Sequence, residues 1–268
     1  MPYVSNEGAE IFWRESGSGE PLLLIMGLGY PCEMWHHVES MLAEHYRVIL
    51  FDNRGIAHSP VVPGPHHIAT MASDAAAVLS AAGEETAFIF GISMGGYIAQ
   101  EFALNYPDRV RSLILGCTGC AGDKAIPASD AVLEVLMARA HMEPADGIRA
   151  MMPYIYDKST PQDRLDADFE IRMRTYPAPE TYLAQLDGIS AWTSWDRLPQ
   201  ISSRTQIIHG ETDELVPPGN ARILAERIPN ARLRMLPQAS HIFFTDQPDE
   251  TVSIVRDFLM RCPTRRQA

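Results

Sequence analysis

The chain has 268 residues, of which 46% are hydrophobic and 21% are charged, and its formal net charge is −12. Disordered chains contain fewer apolar residues, so this composition indicates a folded globular protein. The acidic balance argues against nucleic acid and anionic lipid as partners, because both are bound by basic surfaces. The first residues lack the basic and apolar segments of a secretory signal, and no apolar run could span a bilayer, which together predict a cytoplasmic location.

Short apolar runs alternate with amphipathic segments along most of the chain, a pattern typical of β-α-β units around a parallel sheet. Seven strands are predicted, at residues 11–15, 21–25, 47–51, 86–90, 110–115, 205–209 and 231–236. Helices are predicted at residues 34–45, 70–82, 94–105, 220–227 and 249–260. The sequence therefore predicts an α/β fold with a mostly parallel central sheet flanked by helices.

The alternation stops in the middle of the chain, where no buried strand is predicted. Helical segments follow one another there instead, at residues 131–141, 145–152, 162–174 and 179–189. We interpret this region as a helical insertion that covers one end of the sheet. The predicted core then comprises residues 1–120 and 197–268, and the predicted cap comprises residues 121–196.

One motif carries a nucleophile, the segment Gly91-Ile92-Ser93-Met94-Gly95 between a predicted strand and a predicted helix. A G-x-S-x-G sequence alone is a weak signal, but a sharp strand-to-helix turn requires very small residues beside its central serine. Such a turn exposes the serine hydroxyl above the start of a helix, where negative charge is favoured. The alternative is a tight turn with an idle serine.

A serine needs a base, and the base needs a carboxylate that orients it. His241 follows the last predicted strand, whereas His209 is expected to end a strand and support the next loop. Six other histidines are interpreted as surface or loop residues: His36, His37, His45, His66, His67 and His141. Asp213 is the preferred acid, with Glu211 and Glu214 as lesser candidates.

The glycine-rich segment Met26-Gly27-Leu28-Gly29 follows the second predicted strand and could form an oxyanion hole. The backbone N–H groups of Leu28 and Met94 are the predicted donors; the alternative is a simple connector. Tyr30, Trp192 and Phe243, together with Met94, are predicted to line the substrate pocket, although such aromatic residues could equally belong to the core.

No metal or other cofactor is expected. Cys117-x-x-Cys120 lacks a second cysteine pair, and the four cysteines (Cys32, Cys117, Cys120 and Cys262) are interpreted as reduced thiols. The neighbouring histidines of the pairs His36-His37 and His66-His67 are expected to point apart, so they would not form a metal-binding cluster.

With these residues the chain resembles the α/β-hydrolase superfamily over nearly its full length. The segment 52–59 is similar to the family pattern D-x-R-G-x-G-x-S, segment 210–217 to its acid loop and segment 238–241 to its histidine loop. The order serine, acid, histidine is also that of the family. The branch it resembles most contains small esterases and lactonases, including 3-oxoadipate enol-lactone hydrolases and some acyl-homoserine lactone hydrolases.

Two positions depart from the family pattern. Met26 stands where the family usually has histidine, so the rigidity of the oxyanion loop is in question. Ala57 stands where the family has a glycine, which suggests a slightly different turn. The resemblance also bears on the reaction, since dehalogenases and epoxide hydrolases of this fold use aspartate where this chain has Ser93.

The expected function is hydrolysis of small carboxylic esters or lactones through an acyl-enzyme, with Ser93, Asp213 and His241 as the triad. Carbon–carbon bond hydrolysis and cofactor-free perhydrolysis remain alternatives on the same triad. A non-enzymatic receptor for a small ligand is a third interpretation. The acyl chain length, the choice between linear and cyclic esters, and the oligomeric state stay open.

Overall fold

A single mixed sheet forms the centre of the computed structural model, which describes residues 2–261. Within those residues its eight strands are β1 Tyr3–Asn6, β2 Ala9–Ser16, β3 Glu20–Ile25, β4 Tyr46–Phe51, β5 Ala87–Ile92, β6 Val110–Gly116, β7 Thr205–Gly210 and β8 Ala231–Leu236. Their spatial order is β1-β2-β4-β3-β5-β6-β7-β8. The β1–β2 and β2–β4 pairs are antiparallel and all other pairs are parallel, which confirms the predicted mostly parallel sheet.

The helices are α1 His36–Ala43, α2 Ile68–Ala81, α3 Met94–Asn105, α4 Asp130–Ala138, α5 Pro144–Ile155, α6 Gln162–Arg174, α7 Pro179–Ser190, α8 Gly219–Arg227, α9 Phe243–Asp246 and α10 Pro248–Leu259. Apolar residues of α2, α3 and α8 form one core with one face of the sheet, and those of α1 and α10 form a second core with the other face. The central strands are therefore buried on both sides, which explains their nearly continuous apolar runs. None of the helices in the described range is long and apolar enough to cross a membrane.

Four helices, α4 to α7, lie between β6 and β7 in the chain, where the sequence predicts helices and no strand. We call them the insertion helices. Residues of α4, α5 and α7, together with Arg139 directly after α4, line the same cavity as Ser93, so the insertion contributes to the candidate site.

Two elements were not predicted, the edge strand β1 and the short helix α9. Strand β1 is partly exposed throughout and joins β2 through Glu7 and Gly8, both of which have positive φ. Successive positive φ values are typical of the tight turns that connect two antiparallel strands. Because β1 has no buried apolar run, its sequence gives little sign of a strand.

Candidate active site

Ser93 lies at the junction between β5 and α3 with φ 56° and ψ −123°, an unusual backbone conformation for a residue with a side chain. The flanking glycines make this turn sterically feasible. A Cβ atom on Gly91 would lie 2.0 Å from the carbonyl oxygen of Gly95, and one on Gly95 would lie 2.2 Å from that of Ile25. The turn therefore depends on both glycines of the motif, and it places the serine directly before the first residue of α3.

The structure brings His241 and Asp213 together. His241 Nδ1 lies 2.9 Å from Asp213 Oδ2, and both side chains are buried. The other carboxylate oxygen of Asp213 accepts hydrogen bonds from the backbone N–H groups of Leu215 and Val216 at 3.0 and 2.9 Å. Glu211 and Glu214 are exposed, so only Asp213 of the three acidic candidates contacts the imidazole.

His209 also contacts this carboxylate, which the sequence did not reveal. Its Nε2 lies 2.8 Å from the carbonyl oxygen of Val216, consistent with the expected support of the next loop, and 3.3 Å from Asp213 Oδ2. Burial by itself would raise the pKa of Asp213, but the charge of His241 and the hydrogen bonds from His209 and His241 outweigh that effect and lower it well below its ordinary value. Asp213 is therefore ionised at neutral pH.

The loop after β3 lies against Ser93, since a Cβ atom on Gly27 would be 3.0 Å from the Cβ of Ser93. Side chains hold this loop at two points. Asn53 Nδ2 donates to the carbonyl oxygen of Met26 at 2.9 Å, and the N–H of Gly29 donates to Gln185 Oε1 at 2.9 Å. These two hydrogen bonds restrain the loop, in which Met26 stands where the family usually has histidine.

The two predicted oxyanion donors both belong to residues at the cavity wall. Leu28 and Met94 line the same space as Ser93. Met94 is the first residue of α3, and the N–H groups of a first helical turn have no acceptor within the helix.

The second departure from the family pattern, Ala57, has φ 47°, so it adopts a left-handed conformation that glycine would take more readily.

A mostly apolar cavity contains Ser93 and His241 and is bounded by both the core and the insertion helices. Its lining residues are Met26, Gly27, Leu28, Tyr30, Ile92, Ser93, Met94, Tyr97, Leu136, Arg139, Met151, Ile155, Leu186, Ile189, Leu215, Val216, His241, Ile242 and Phe244. A concave apolar site with a few converging polar groups is the usual form of a small-molecule pocket.

Of the predicted pocket residues, Tyr30 and Met94 line the cavity, and the two others lie elsewhere. Trp192 is behind Tyr97, with its ring centroid 5.0 Å from that of Tyr97 and its indole N–H donating to Glu101 at 2.7 Å. Phe243 is fully buried and stacks on Phe90 in the core. Its neighbour Phe244 lines the cavity instead, because successive residues of α9 point to different sides.

Arg139 is a cavity residue that sequence analysis missed. It is only 3% exposed, and its guanidinium carbon lies 4.9, 5.5 and 5.7 Å from the ring centroids of Tyr182, Tyr30 and Tyr176. Among residues 2–261 it forms no ion pair, and its Nε has no hydrogen-bond partner. Its position in a short helical run of ordinary composition gives no sequence signal of this burial.

Outside the cavity, the expectation that His36 and His37 point apart is wrong. His36 Nε2 and His37 Nε2 lie 2.8 and 3.2 Å from the same oxygen of Asp168 on α6. The potential ligand atoms of these three residues all lie within 4.8 Å of one another. Sequence spacing could not reveal this group, because Asp168 is more than 130 residues away.

A second group of neighbouring donor atoms belongs to Cys117, His209 and Asp213, and all three residues are buried. Cys32, Cys117 and Cys120 are buried free cysteines, and Cys262 lies outside the described residues. Burial raises the pKa of the Cys117 thiol well above its ordinary value, and the charge of Asp213 adds to this. Cys117 is therefore a neutral thiol, a poor metal ligand and a poor nucleophile.

Comparisons with known proteins agree with this architecture. A family model described as the alpha/beta hydrolase fold matches residues 20–248. A protein named as a carbamate hydrolase, from Azorhizobium caulinodans, is 31% identical over 253 residues, which are 93% of this chain and 94% of that protein.

Two solved structures give the same result. An esterase from Thermogutta terrifontis is 29% identical with a TM-score of 0.83, and the match covers 97% of this chain and 98% of the esterase. An enol-lactonase from Burkholderia xenovorans LB400 is 25% identical with a TM-score of 0.87, covering 97% and 100%. The names of these relatives support hydrolase activity, and the chain belongs to the alpha/beta hydrolase fold family.

Proposed function

We propose that this chain is a serine hydrolase that cleaves carboxylic esters or lactones of small molecules through an acyl-enzyme. The observation that carries the proposal is the arrangement of three residues. Ser93, in a strained turn at the start of α3, shares a cavity with His241, whose Nδ1 lies 2.9 Å from the buried Asp213. This combination supplies a nucleophile, a base and a group that orients the base.

In the proposed reaction, Ser93 Oγ attacks the substrate carbonyl carbon while His241 Nε2 accepts the serine proton. Because Nδ1 of His241 donates to ionised Asp213, the ring is held in the tautomer that leaves Nε2 free as a base. The N–H groups of Leu28 and Met94 stabilise the oxyanion, and His241 then protonates the leaving alcohol. Water, activated by the same histidine, releases the acid from Ser93.

The cavity also favours one class of acyl group. Its wall is apolar except for a few groups, of which Arg139 carries a buried positive charge without a carboxylate partner among residues 2–261. An isolated buried charge is costly, whereas a charge paired in a dry site binds its partner tightly. We infer a preference for substrates with a carboxylate on an otherwise apolar acyl chain.

The substitution Ser93→Ala tests the proposal directly. It should reduce hydrolysis of p-nitrophenyl esters and lactones by about 10⁴-fold or more, since loss of the nucleophile of a serine triad has effects of this order. The exposed Ser202→Ala variant is the matched control and should keep full activity and the same melting temperature. Retention of esterase activity by purified Ser93→Ala would refute the assignment.

The same assay separates the alternative functions. A panel that adds a carbamate, a β-diketone and hydrogen peroxide with acetate compares ester cleavage with carbamate hydrolysis, carbon–carbon cleavage and perhydrolysis. A receptor would bind a ligand in the cavity without turnover. Labelling of Ser93 by a fluorophosphonate, together with turnover of esters, is the expected outcome for a hydrolase.

A further inference from the structure

We propose that His36, His37 and Asp168 form a site for a single divalent transition-metal ion of the zinc class, which fastens helix α6 of the insertion to helix α1 of the core. The three side chains come from two elements that are far apart in the chain, and their donor atoms converge outside the proposed catalytic cavity. The inference does not depend on the proposed esterase function.

The spacing of the donor atoms suits a metal. Zinc binds imidazole nitrogen at about 2.0–2.1 Å and carboxylate oxygen at about 2.0–2.2 Å, so neighbouring ligand atoms in a tetrahedral site lie roughly 3.3 Å apart. The two histidine Nε2 atoms lie 2.8 and 3.2 Å from Asp168 Oδ1, and the three donors lie within 4.8 Å of one another. Small side-chain rotations would place one ion between them.

The bonding of His37 points in the same direction. Its Nε2 is buried and close to Asp168 Oδ1, yet it has no hydrogen-bond partner among the described residues. The two imidazole rings lie with their centroids 3.8 Å apart, and both Nε2 atoms lie close to the same oxygen of Asp168. A cation between the rings and the carboxylate would satisfy that nitrogen, which a single carboxylate oxygen shared with His36 does not.

Asp168 is held as a ligand would be. Its second oxygen accepts hydrogen bonds from the hydroxyl groups of Tyr156 and Thr245, both at 2.8 Å. These two bonds fix the orientation of the carboxylate, and its first oxygen faces the two histidine nitrogens. Hydrogen bonds of this kind orient metal ligands and are worth about 10–100-fold in metal affinity.

Access and location define the role of the ion. The His36 side chain is 28% exposed, which gives a path from solvent and leaves room for water as a further ligand. None of the three residues lines the cavity of Ser93. Because Thr245 belongs to α9, which begins two residues after His241, the ion would also stiffen the helix that follows the histidine loop. We therefore expect a stabilising role.

The experiment uses the full chain after removal of metals with EDTA. Zinc chloride is titrated by calorimetry, Co²⁺ binding is followed by visible absorption, and the melting temperature is recorded with and without zinc. The test variants are His36→Gln, His37→Gln and Tyr156→Phe. The control is His67→Gln, which removes an exposed histidine of the other adjacent pair. The Ser93→Ala variant keeps the measurement independent of catalysis.

We expect one zinc ion per chain and a rise in melting temperature in the wild type, His67→Gln and Ser93→Ala proteins. Each glutamine substitution at the site should weaken binding by more than about 100-fold, and Tyr156→Phe by about 10–100-fold. The proposal is overturned if zinc does not bind stoichiometrically, or if His36→Gln and His37→Gln, folded as judged by circular dichroism, bind it as well as His67→Gln does.

Discussion

Four donors converge on the carboxylate of Asp213: two backbone N–H groups on one oxygen and two histidine nitrogens near the other. An ionised, fully surrounded carboxylate cannot rotate, so it fixes the ring of His241 in one orientation and one tautomer. His209 contributes to this arrangement as a positioning residue, because it holds Val216 of the same loop through its Nε2.

The substitution Asp213→Asn should therefore impair catalysis without disturbing the fold. An asparagine amide would donate to His241 Nδ1 and stabilise the tautomer in which Nε2 carries the proton and cannot act as a base. The expected loss in kcat is about 10⁴-fold, the size of this effect in serine proteases. The control is Glu214→Gln, an exposed carboxylate of the same loop, and equal activity of both variants would contradict the assignment of Asp213.

Single residues also show what a sequence can predict. Asp213 could be selected as the candidate acid because it follows a strand and precedes His241 in the order of the fold, and both properties can be read from the sequence. The convergence of His36 and His37 on Asp168, and the burial of His66 in its loop, depend on how the insertion helices pack. Neither is encoded in the local spacing of the residues.

At the scale of elements, the central strands were predictable because they are buried on both faces and therefore consist of apolar runs. The insertion helices were recognised with boundaries close to those observed. The walls of the cavity were not, since Trp192 and Phe243 point away from it while Tyr97 and Phe244 face it. An aromatic residue in the sequence does not reveal which way its ring packs.

The proposed preference for anionic acyl groups depends on Arg139, which lies directly after α4, and it can be measured. The Arg139→Met variant should lose the preference for mono-p-nitrophenyl glutarate over p-nitrophenyl pentanoate, two esters of equal acyl length that differ in charge. Loss of a buried charge pair costs about 2 kcal/mol or more, which is roughly a 30-fold loss in kcat/KM for the anionic ester. Arg139→Lys should retain part of the preference.

The matched control is Arg149→Met, since Arg149 is an exposed arginine of the insertion helix α5. Its ratio of kcat/KM values for the two esters should equal that of the wild type. An unchanged ratio in Arg139→Met would show that the cavity does not select anionic acyl groups, even if Ser93 is the nucleophile.

For the molecule as a whole, Asp246 connects the histidine loop of the core to the insertion. One of its oxygens accepts from the N–H of Ser240 at 2.6 Å, and the other from Thr160 Oγ1 at 2.6 Å and the N–H of Asp157 at 3.3 Å. Thr160 and Asp157 lie between α5 and α6, so one side chain links two parts of the chain that meet at the site.

Global stability should depend on the ionisation of Asp246. Burial, with a smaller contribution from the charge of Asp157, raises its pKa to about 6 despite the three hydrogen bonds. The carboxyl ionises at its ordinary value of 3.8 in the unfolded chain, so the folded state binds the proton more tightly. The contribution of Asp246 to the free energy of unfolding is thus fully present below about pH 3.8, and it is lost as the pH rises towards and past about 6.

The substitution Asp246→Asn removes this ionisation. The effect of the substitution on the hydrogen bonds is the same at every pH. The difference in unfolding free energy, variant minus wild type, should therefore increase by about 3 kcal/mol between pH 3 and pH 7, since each pKa unit corresponds to about 1.4 kcal/mol. Urea unfolding at pH 3, 4, 5, 6 and 7 measures the difference, with Asp257→Asn, an exposed carboxylate on α10, as the matched control. A difference that stays constant across this range would show that Asp246 has the same pKa in the folded and unfolded chains. Burial of the ionised carboxylate between the histidine loop and the insertion would then not lower the free energy of unfolding.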